Sequence, residues 1–147
     1  MRILIADPDQ DWPQRLRKHF AQMNYTADFS VTGRDSQLSL YKEKYDGIVL
    51  DLSLRYHSAF EVLKYVKLNC PSLRVVLTAS SPAMFNERGL TKEVLRKMGV
   101  DSCFSRPVSE EEVCRCFTNE KEIAAWKEST ASPGKSSQEE VSGDDKE

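Results

Sequence analysis

Three carboxylates crowd the end of the first apolar run of the sequence. Residues 3–11 read ILIADPDQD, so Asp7, Asp9 and Asp11 follow directly on ILIA. A short apolar run of this kind is typical of a buried strand, and the carboxylates stand where that strand must end. Clustered carboxylates bind Mg²⁺ or attack a phosphoryl group, because both tasks need negative charge concentrated on oxygen. The segment is therefore a candidate site for phosphoryl chemistry.

Chemically useful side chains also end three later apolar runs. Asp51 ends GIVLD, Thr78 lies near the end of LRVVLTA, and Arg106–Pro107 follows DSCFS. In open sheets of parallel strands, function gathers at the carboxyl ends of the strands. A carboxylate, a hydroxyl and a guanidinium would then join Asp7 at one edge of the sheet. Taken together and in this order, the four positions form a specific set.

Strand and helix patterns alternate along the chain. Apolar runs predict five strands, at 2–6, 25–30, 47–52, 73–79 and 101–105. Helical spacing of apolar residues predicts five helices between and after them, the first capped by Asp9 or Asp11. In the second helix, Leu38, Tyr41 and Tyr45 are expected to face the core. Strict alternation is typical of a doubly wound α/β sheet.

Length and composition predict one compact domain with a polar extension. The chain has 147 residues, of which 39% are hydrophobic, and a net charge of −2. We expect a domain at 1–126 and a disordered acidic tail at 127–147, where apolar side chains almost vanish. The charge argues against nucleic-acid binding, and no apolar run approaches membrane-spanning length. A cytoplasmic protein with reduced cysteines is the expectation.

The residues at the four strand ends resemble those of the receiver domain of bacterial response regulators, over residues 1 to about 125. The resemblance implies a flavodoxin-like fold, with a five-stranded parallel sheet of order 2-1-3-4-5 and five helices. It implies that Asp51 accepts a phosphoryl group from a histidine kinase or phosphotransfer protein. Thr78 and Arg106 would contact the phosphoryl oxygens, and a cis peptide would precede Pro107.

The resemblance also implies a Mg²⁺ site next to the phosphoacceptor. Asp7, Asp51 and the backbone carbonyl of Ser53 would be ligands. The second acid of the family pair falls on Pro8, which has neither a carboxylate nor an N–H. Asp9 is displaced by one residue and is a doubtful substitute, because Mg²⁺ demands near-ideal octahedral geometry.

Further departures affect the cation, the switch residue and one loop. Arg106 replaces the family's lysine, and a planar guanidinium is not equivalent to a compact ammonium. Cys103 stands where the family has a switching aromatic side chain. The stretch SSPAMFNERGL at 80–90 predicts an unusually long link from the fourth strand to the next helix. Met84 and Phe85 within it are either anchors for a partner protein or covers for the core edge.

Three hypotheses for function remain open. The first is a single-domain, atypical response regulator that is phosphorylated on Asp51 and docks onto a downstream protein. The second is a pseudo-receiver whose docking ignores phosphorylation, with Arg106 as a built-in counter-ion for Asp51 or Asp7. The third is a small phosphatase of the haloacid dehalogenase type, with Asp7 as nucleophile and Asp9 as acid/base. The first two are signalling modules without catalytic turnover.

Overall fold

Parallel strands form the centre of the molecule, as the alternating pattern predicts. The computed structural model describes residues 1–55, 58–118 and 138–139. Five strands pair in parallel in the order β2-β1-β3-β4-β5, which confirms the flavodoxin-like topology. Their bounds are β1 Arg2–Ala6, β2 Thr26–Ser30, β3 Gly47–Asp51, β4 Arg74–Ala79 and β5 Ser102–Ser105. The described helices are α1 Asp11–Gln22, α2 Gly33–Lys42, α3 Ala59–Asn69, α4 Pro82–Glu87, α5 Lys92–Lys97 and α6 Glu110–Arg115.

Both faces of the sheet are covered, which explains why its central strands are apolar throughout. Side chains alternate between the two faces, so each strand contributes to two separate apolar clusters. Leu4, Leu50 and Leu77 pack with α3, α4 and α5 on one face. Ile5 and Val49 pack with α1 and α6 on the other face. None of the helices in the described ranges is long and apolar enough to cross a membrane.

Strand register brings the chemically useful residues to one edge of the sheet. Asp51 is paired with Thr78 across β3 and β4. Ala6 is paired with Leu50, so Asp7 follows β1 at the same level as Asp51. Ala79 is paired with Ser105, and the backbone N–H of Arg106 donates to the Ala79 carbonyl at 2.9 Å. Residues far apart in sequence therefore meet at the carboxyl ends of four neighbouring strands.

The prediction of a long link after β4 is wrong, because part of this segment folds as an additional helix, α4. Pro82 occupies the first turn of α4, where the missing N–H of a proline costs nothing. Phe85 is buried against the core and Met84 packs partly buried beside it. The apolar side chains thus fasten the segment to the domain. They cover the core edge, so Phe85 is not available as an anchor for a partner.

The buried face of α2 also differs from the prediction. Leu38 and Tyr41 are exposed, whereas Leu40 and the small residues Gly33 and Ser36 face the sheet. The hydroxyl of Ser36 forms a 2.7 Å hydrogen bond with that of Ser30. A buried polar side chain is tolerated when it is hydrogen-bonded, so hydrophobicity alone misassigned this face. Tyr45 packs partly buried against the core as expected, but it lies beyond the end of α2 rather than within it.

A sixth, two-residue strand joins the sheet beyond β5. β6, Gln138–Glu139, pairs antiparallel with Cys103 and Phe104 of β5. These two residues belong to the stretch 127–147 that is predicted to be disordered. The rest of that stretch, and residues 119–126 of the domain expected at 1–126, lie outside the described residues.

Replacing Gly47 is expected to destabilise the fold. A Cβ atom at this position would lie 2.7 Å from Cδ1 of the buried Phe117 ring and 3.2 Å from Cδ1 of Ile3. Gly47→Ala should therefore lower the free energy of unfolding by about 1–3 kcal/mol, through overpacking. Urea denaturation of the two proteins measures this difference.

A double-mutant cycle provides the control for that expectation. In a Phe117→Leu background the ring is gone, so Gly47→Ala should cost clearly less. An equal cost in both backgrounds would show that Phe117 is not the obstacle.

Candidate functional site

Four strand ends bring the predicted site residues into direct contact. Asp7 follows β1, Asp51 ends β3, Thr78 lies in β4 and Arg106 follows β5. Asp7, Asp51 and Thr78 are at most 3% exposed, so the site lies below the surface. Arg106 is 19% exposed and covers them. The peptide bond between Arg106 and Pro107 is cis, as expected.

Both carboxylate oxygens of Asp51 are engaged by protein groups. Oδ1 accepts a 2.7 Å hydrogen bond from the hydroxyl of Thr78 and lies 3.2 Å from Nη2 of Arg106. Oδ2 accepts hydrogen bonds from the backbone N–H of Ser53, at 2.9 Å, and from the Ser53 hydroxyl. Charge-assisted hydrogen bonds of this kind compensate the cost of burying a carboxylate.

The guanidinium of Arg106 stands between the carboxylates of the site. Its Nη2 pairs with Oδ2 of Asp7 as well as with Oδ1 of Asp51. Nη1 lies 3.7 Å from Oδ2 of Asp9. The guanidinium carbon is 4.4 Å from the centre of the Trp12 ring, which is a cation–π arrangement. One cation is thereby shared by three carboxylates and stacked on an aromatic face.

Asp7 is the most strongly perturbed carboxyl of the site. Burial, and after it the neighbouring Asp51 charge, raise its pKa from an ordinary value of 3.8 to about 6. Arg106 and the 2.9 Å hydrogen bond from the backbone N–H of Asp9 oppose this shift. The ion pair with Arg106 therefore offsets only part of the cost of ionising a buried carboxyl.

Asp9 does not cap α1. The residue before α1 is Gln10, no side chain caps the helix, and Asp11 is the first helical residue. Oδ1 of Asp9 accepts from the backbone N–H of Gln10 at 2.8 Å, and its side chain is 52% exposed. The predicted cap at Asp9 or Asp11 is therefore wrong, because the Asp9 carboxylate bonds to the adjacent amide and leans towards Arg106.

The residues present do not fit a Mg²⁺ ion. Within residues 1–55 and 58–118, His, Cys, Asp and Glu side chains nowhere form a group of three that could hold a metal. Pro8 supplies no ligand, and the facing oxygens of Asp7 and Asp51 already contact the Arg106 guanidinium. Ser53 turns its N–H and hydroxyl towards Asp51, and ligation by its carbonyl stays a prediction.

Trp12 is a site residue that the sequence pattern did not reveal. Its helical spacing with Leu16 and Phe20 is typical of a core-facing side chain, and it is indeed buried in that core. Its ring also supports the Arg106 guanidinium. The available signal was position, since Trp12 lies in the first turn of the helix that begins beside Asp7.

Comparisons with known proteins identify the architecture. No family model and no curated protein matches the sequence. Among solved structures, the Francisella response regulator 1452 receiver domain has a TM-score of 0.64 and 22% identity, over 76% of this chain and 88% of that one. A CheY-like receiver domain protein from Methanospirillum hungatei reaches 0.69 and 17%, over 84% and 94%. Chemotaxis response regulator CheY4 of Vibrio cholerae reaches 0.66 and 15%, over 77% and 92%. The chain has the receiver-domain fold.

Cys103, where the resemblance places a switching aromatic side chain, is a small buried residue. Cys103 is fully buried on the face that packs with α3–α5. Its neighbour Phe104 is also buried, but among the side chains of the opposite face. The aromatic ring of β5 is thus committed to the α1–α6 core.

The raised pKa of Asp7 predicts a pH-dependent stability. Between about pH 4 and pH 7 the folded state holds the Asp7 proton more tightly than the unfolded state does, so stability falls as pH rises. A shift from 3.8 to about 6 corresponds to roughly 2–3 kcal/mol. The unfolding free energy of wild type should therefore fall, relative to that of Asp7→Asn, by this amount as pH rises from about 4 to about 7.

Asp28 supplies a control of opposite sign. A hydrogen bond from the Tyr45 hydroxyl lowers the pKa of Asp28, and Arg2 acts in the same direction. Wild type should therefore gain stability over Asp28→Asn as pH rises from the acidic end. If the Asp7 comparison showed the same direction as the Asp28 comparison, the assigned shift of Asp7 would be wrong.

Proposed function

We propose that this chain is a signalling module of the two-component type that acts in the cytoplasm by docking onto another protein, without catalytic turnover. We further propose that its docking does not depend on phosphorylation. The observation that carries the proposal is the Arg106 guanidinium, which pairs with both Asp7 and Asp51 inside the pocket. The receiver fold supports the general class, and this ion pair favours the pseudo-receiver among the hypotheses.

The occupied oxygens of Asp51 argue against easy phosphorylation. A carboxylate nucleophile must present a free oxygen in line with the transferring phosphorus, and the developing charge needs a metal or fixed cation. Asp51 presents Oδ1 to Thr78 and Arg106, and Oδ2 to Ser53. Attack would require at least one of these contacts to open. Without a bound Mg²⁺, Arg106 alone would have to neutralise two carboxylates and the phosphoryl group.

Phosphorylation of Asp51 is the second candidate, and one contact favours it. The hydroxyl of Thr78 is 2.7 Å from Asp51, close to where phosphoryl oxygens would lie. In this reading a histidine kinase or phosphotransfer protein is the donor. Arg106 would move with the phosphoryl group, and Thr78 would donate to it. Such a response regulator would work with little dependence on Mg²⁺.

The phosphatase hypothesis gains no support from the geometry. Asp7, its nucleophile, is buried. Its Oδ1 accepts from the Asp9 N–H and its Oδ2 pairs with Arg106. Asp9 points towards Arg106 and solvent, not towards a shared substrate position. A nucleophile with both oxygens engaged below the surface is poorly placed to meet a substrate.

Incubation with acetyl phosphate separates the two signalling candidates. Under the proposal, the intact mass of the full chain stays unchanged with and without Mg²⁺, because Asp51 is blocked and the metal finds no site. Mass spectrometry under mild acidic conditions gives the readout, and a conventional receiver domain in the same reaction shows that the donor is active.

Asp51→Asn and Asp46→Asn are the matched variants for that experiment. Asp46 lies just before β3, at the opposite end of the strand from Asp51. A gain of one phosphoryl group that is lost in Asp51→Asn, but retained in Asp46→Asn, would overturn the proposal and establish the second candidate.

A further inference from the structure

We propose that the Arg106 guanidinium and a divalent cation are mutually exclusive occupants of the pocket, so that this chain carries its own cation in place of a metal. This deepens the proposed function and rests on it, because a pocket that carries its own cation needs no metal-dependent switch. The sequence alone suggested a missing ligand at Pro8. The structure assigns the main obstacle to Arg106.

The first argument is the identity of the oxygens involved. A metal bound by Asp7 and Asp51 would have to use oxygens on the sides of these carboxylates that face each other. Nη2 of Arg106 contacts both Oδ2 of Asp7 and Oδ1 of Asp51. A guanidinium does not lose its proton in proteins, so it offers a metal only charge repulsion and no lone pair. The two cations therefore compete for one place.

The second argument is how firmly Arg106 is held. Its backbone N–H donates to Ala79 at 2.9 Å, which fixes the start of the side chain at the end of β5. Its far end stacks over Trp12 at 4.4 Å and lies 3.7 Å from Oδ2 of Asp9. To admit a metal, the side chain would have to give up the ion pairs and the aromatic contact together. Each of these contacts contributes to keeping the guanidinium in the pocket.

The third argument is charge. Asp7 and Asp51 are both buried, and the partly exposed Asp9 adds a third carboxylate at the rim. Removing one partner from a buried ion pair leaves an uncompensated charge, which is strongly destabilising. A pocket without Arg106 should therefore be a poor environment for its carboxylates unless another cation enters. Because the carboxylates need a cation, removing Arg106 tests whether a metal takes its place.

The test compares Mg²⁺ binding by wild type, Arg106→Gln and Pro8→Asp, all as full-length protein. The sequence has two tryptophans, Trp12 and Trp126, so a Trp126→Phe background makes Trp12 fluorescence a local reporter. Thermal unfolding with and without Mg²⁺ is the second readout, since a ligand that binds only the folded state raises the melting temperature.

We expect Arg106→Gln to melt below wild type and to recover with Mg²⁺, at concentrations at least about tenfold below any at which wild type responds. Its Mg²⁺ response should vanish when Asp51→Asn is added. Pro8→Asp, which restores an acid but keeps Arg106, should remain insensitive to Mg²⁺. Should Arg106→Gln fail to fold, Arg106→Lys replaces it, because the shorter ammonium no longer spans both carboxylates.

Three results would overturn the inference. They are an Asp51-dependent Mg²⁺ response of the wild type, a response of Pro8→Asp with Arg106 in place, and a folded Arg106 variant that ignores Mg²⁺. No phosphoryl donor is present in these measurements. Their outcome is thus separate from the acetyl phosphate result, and failure of one proposal can be told from failure of the other.

Discussion

The arrangement at the carboxyl edge of the sheet depends on one requirement, which is the neutralisation of two buried carboxylates. Parallel pairing of β1, β3 and β4 places Asp7 and Asp51 side by side, below the surface. Burying such charges is costly unless they are paired and hydrogen-bonded. Arg106, Thr78 and Ser53 meet that requirement from within the chain. The arrangement resembles a receiver pocket, and here the chain itself supplies a cation, Arg106, that offsets part of the carboxylate charge.

Sequence reasoning succeeded where a single physical rule dominates. Apolar runs identified the five parallel strands, and the rule that function gathers at their carboxyl ends located Asp7, Asp51, Thr78 and Arg106 together. The same reasoning included, among its hypotheses, a role for Arg106 as an internal counter-ion. The pattern carried enough information for these features because strand periodicity and sheet topology leave few alternatives.

Sequence reasoning failed where the outcome depends on which tertiary partner a side chain finds. The sequence predicted Asp9 as a cap, but its carboxylate accepts from the next amide. Its other oxygen lies near the guanidinium of Arg106, which follows β5. Ser36 faces the sheet because Ser30 offers it a hydroxyl. The segment after β4 forms a helix whose Phe85 ring packs into the core, whereas the sequence pattern indicated only a link. Apart from the amide next to Asp9, these partners come from other elements of the fold, so no local pattern predicts them.

The reach of Arg106 has a mechanical consequence. β5 is separated from β1 by β3 and β4, yet one side chain from its end contacts residues that follow β1 and end β3. This contact links the turn after β1 to the turn after β5 across the edge of the sheet, so opening of either turn must break it. We therefore expect local opening at this edge to be cooperative, with the amide hydrogens of Asp7, Asp9 and Arg106 exchanging as one unit.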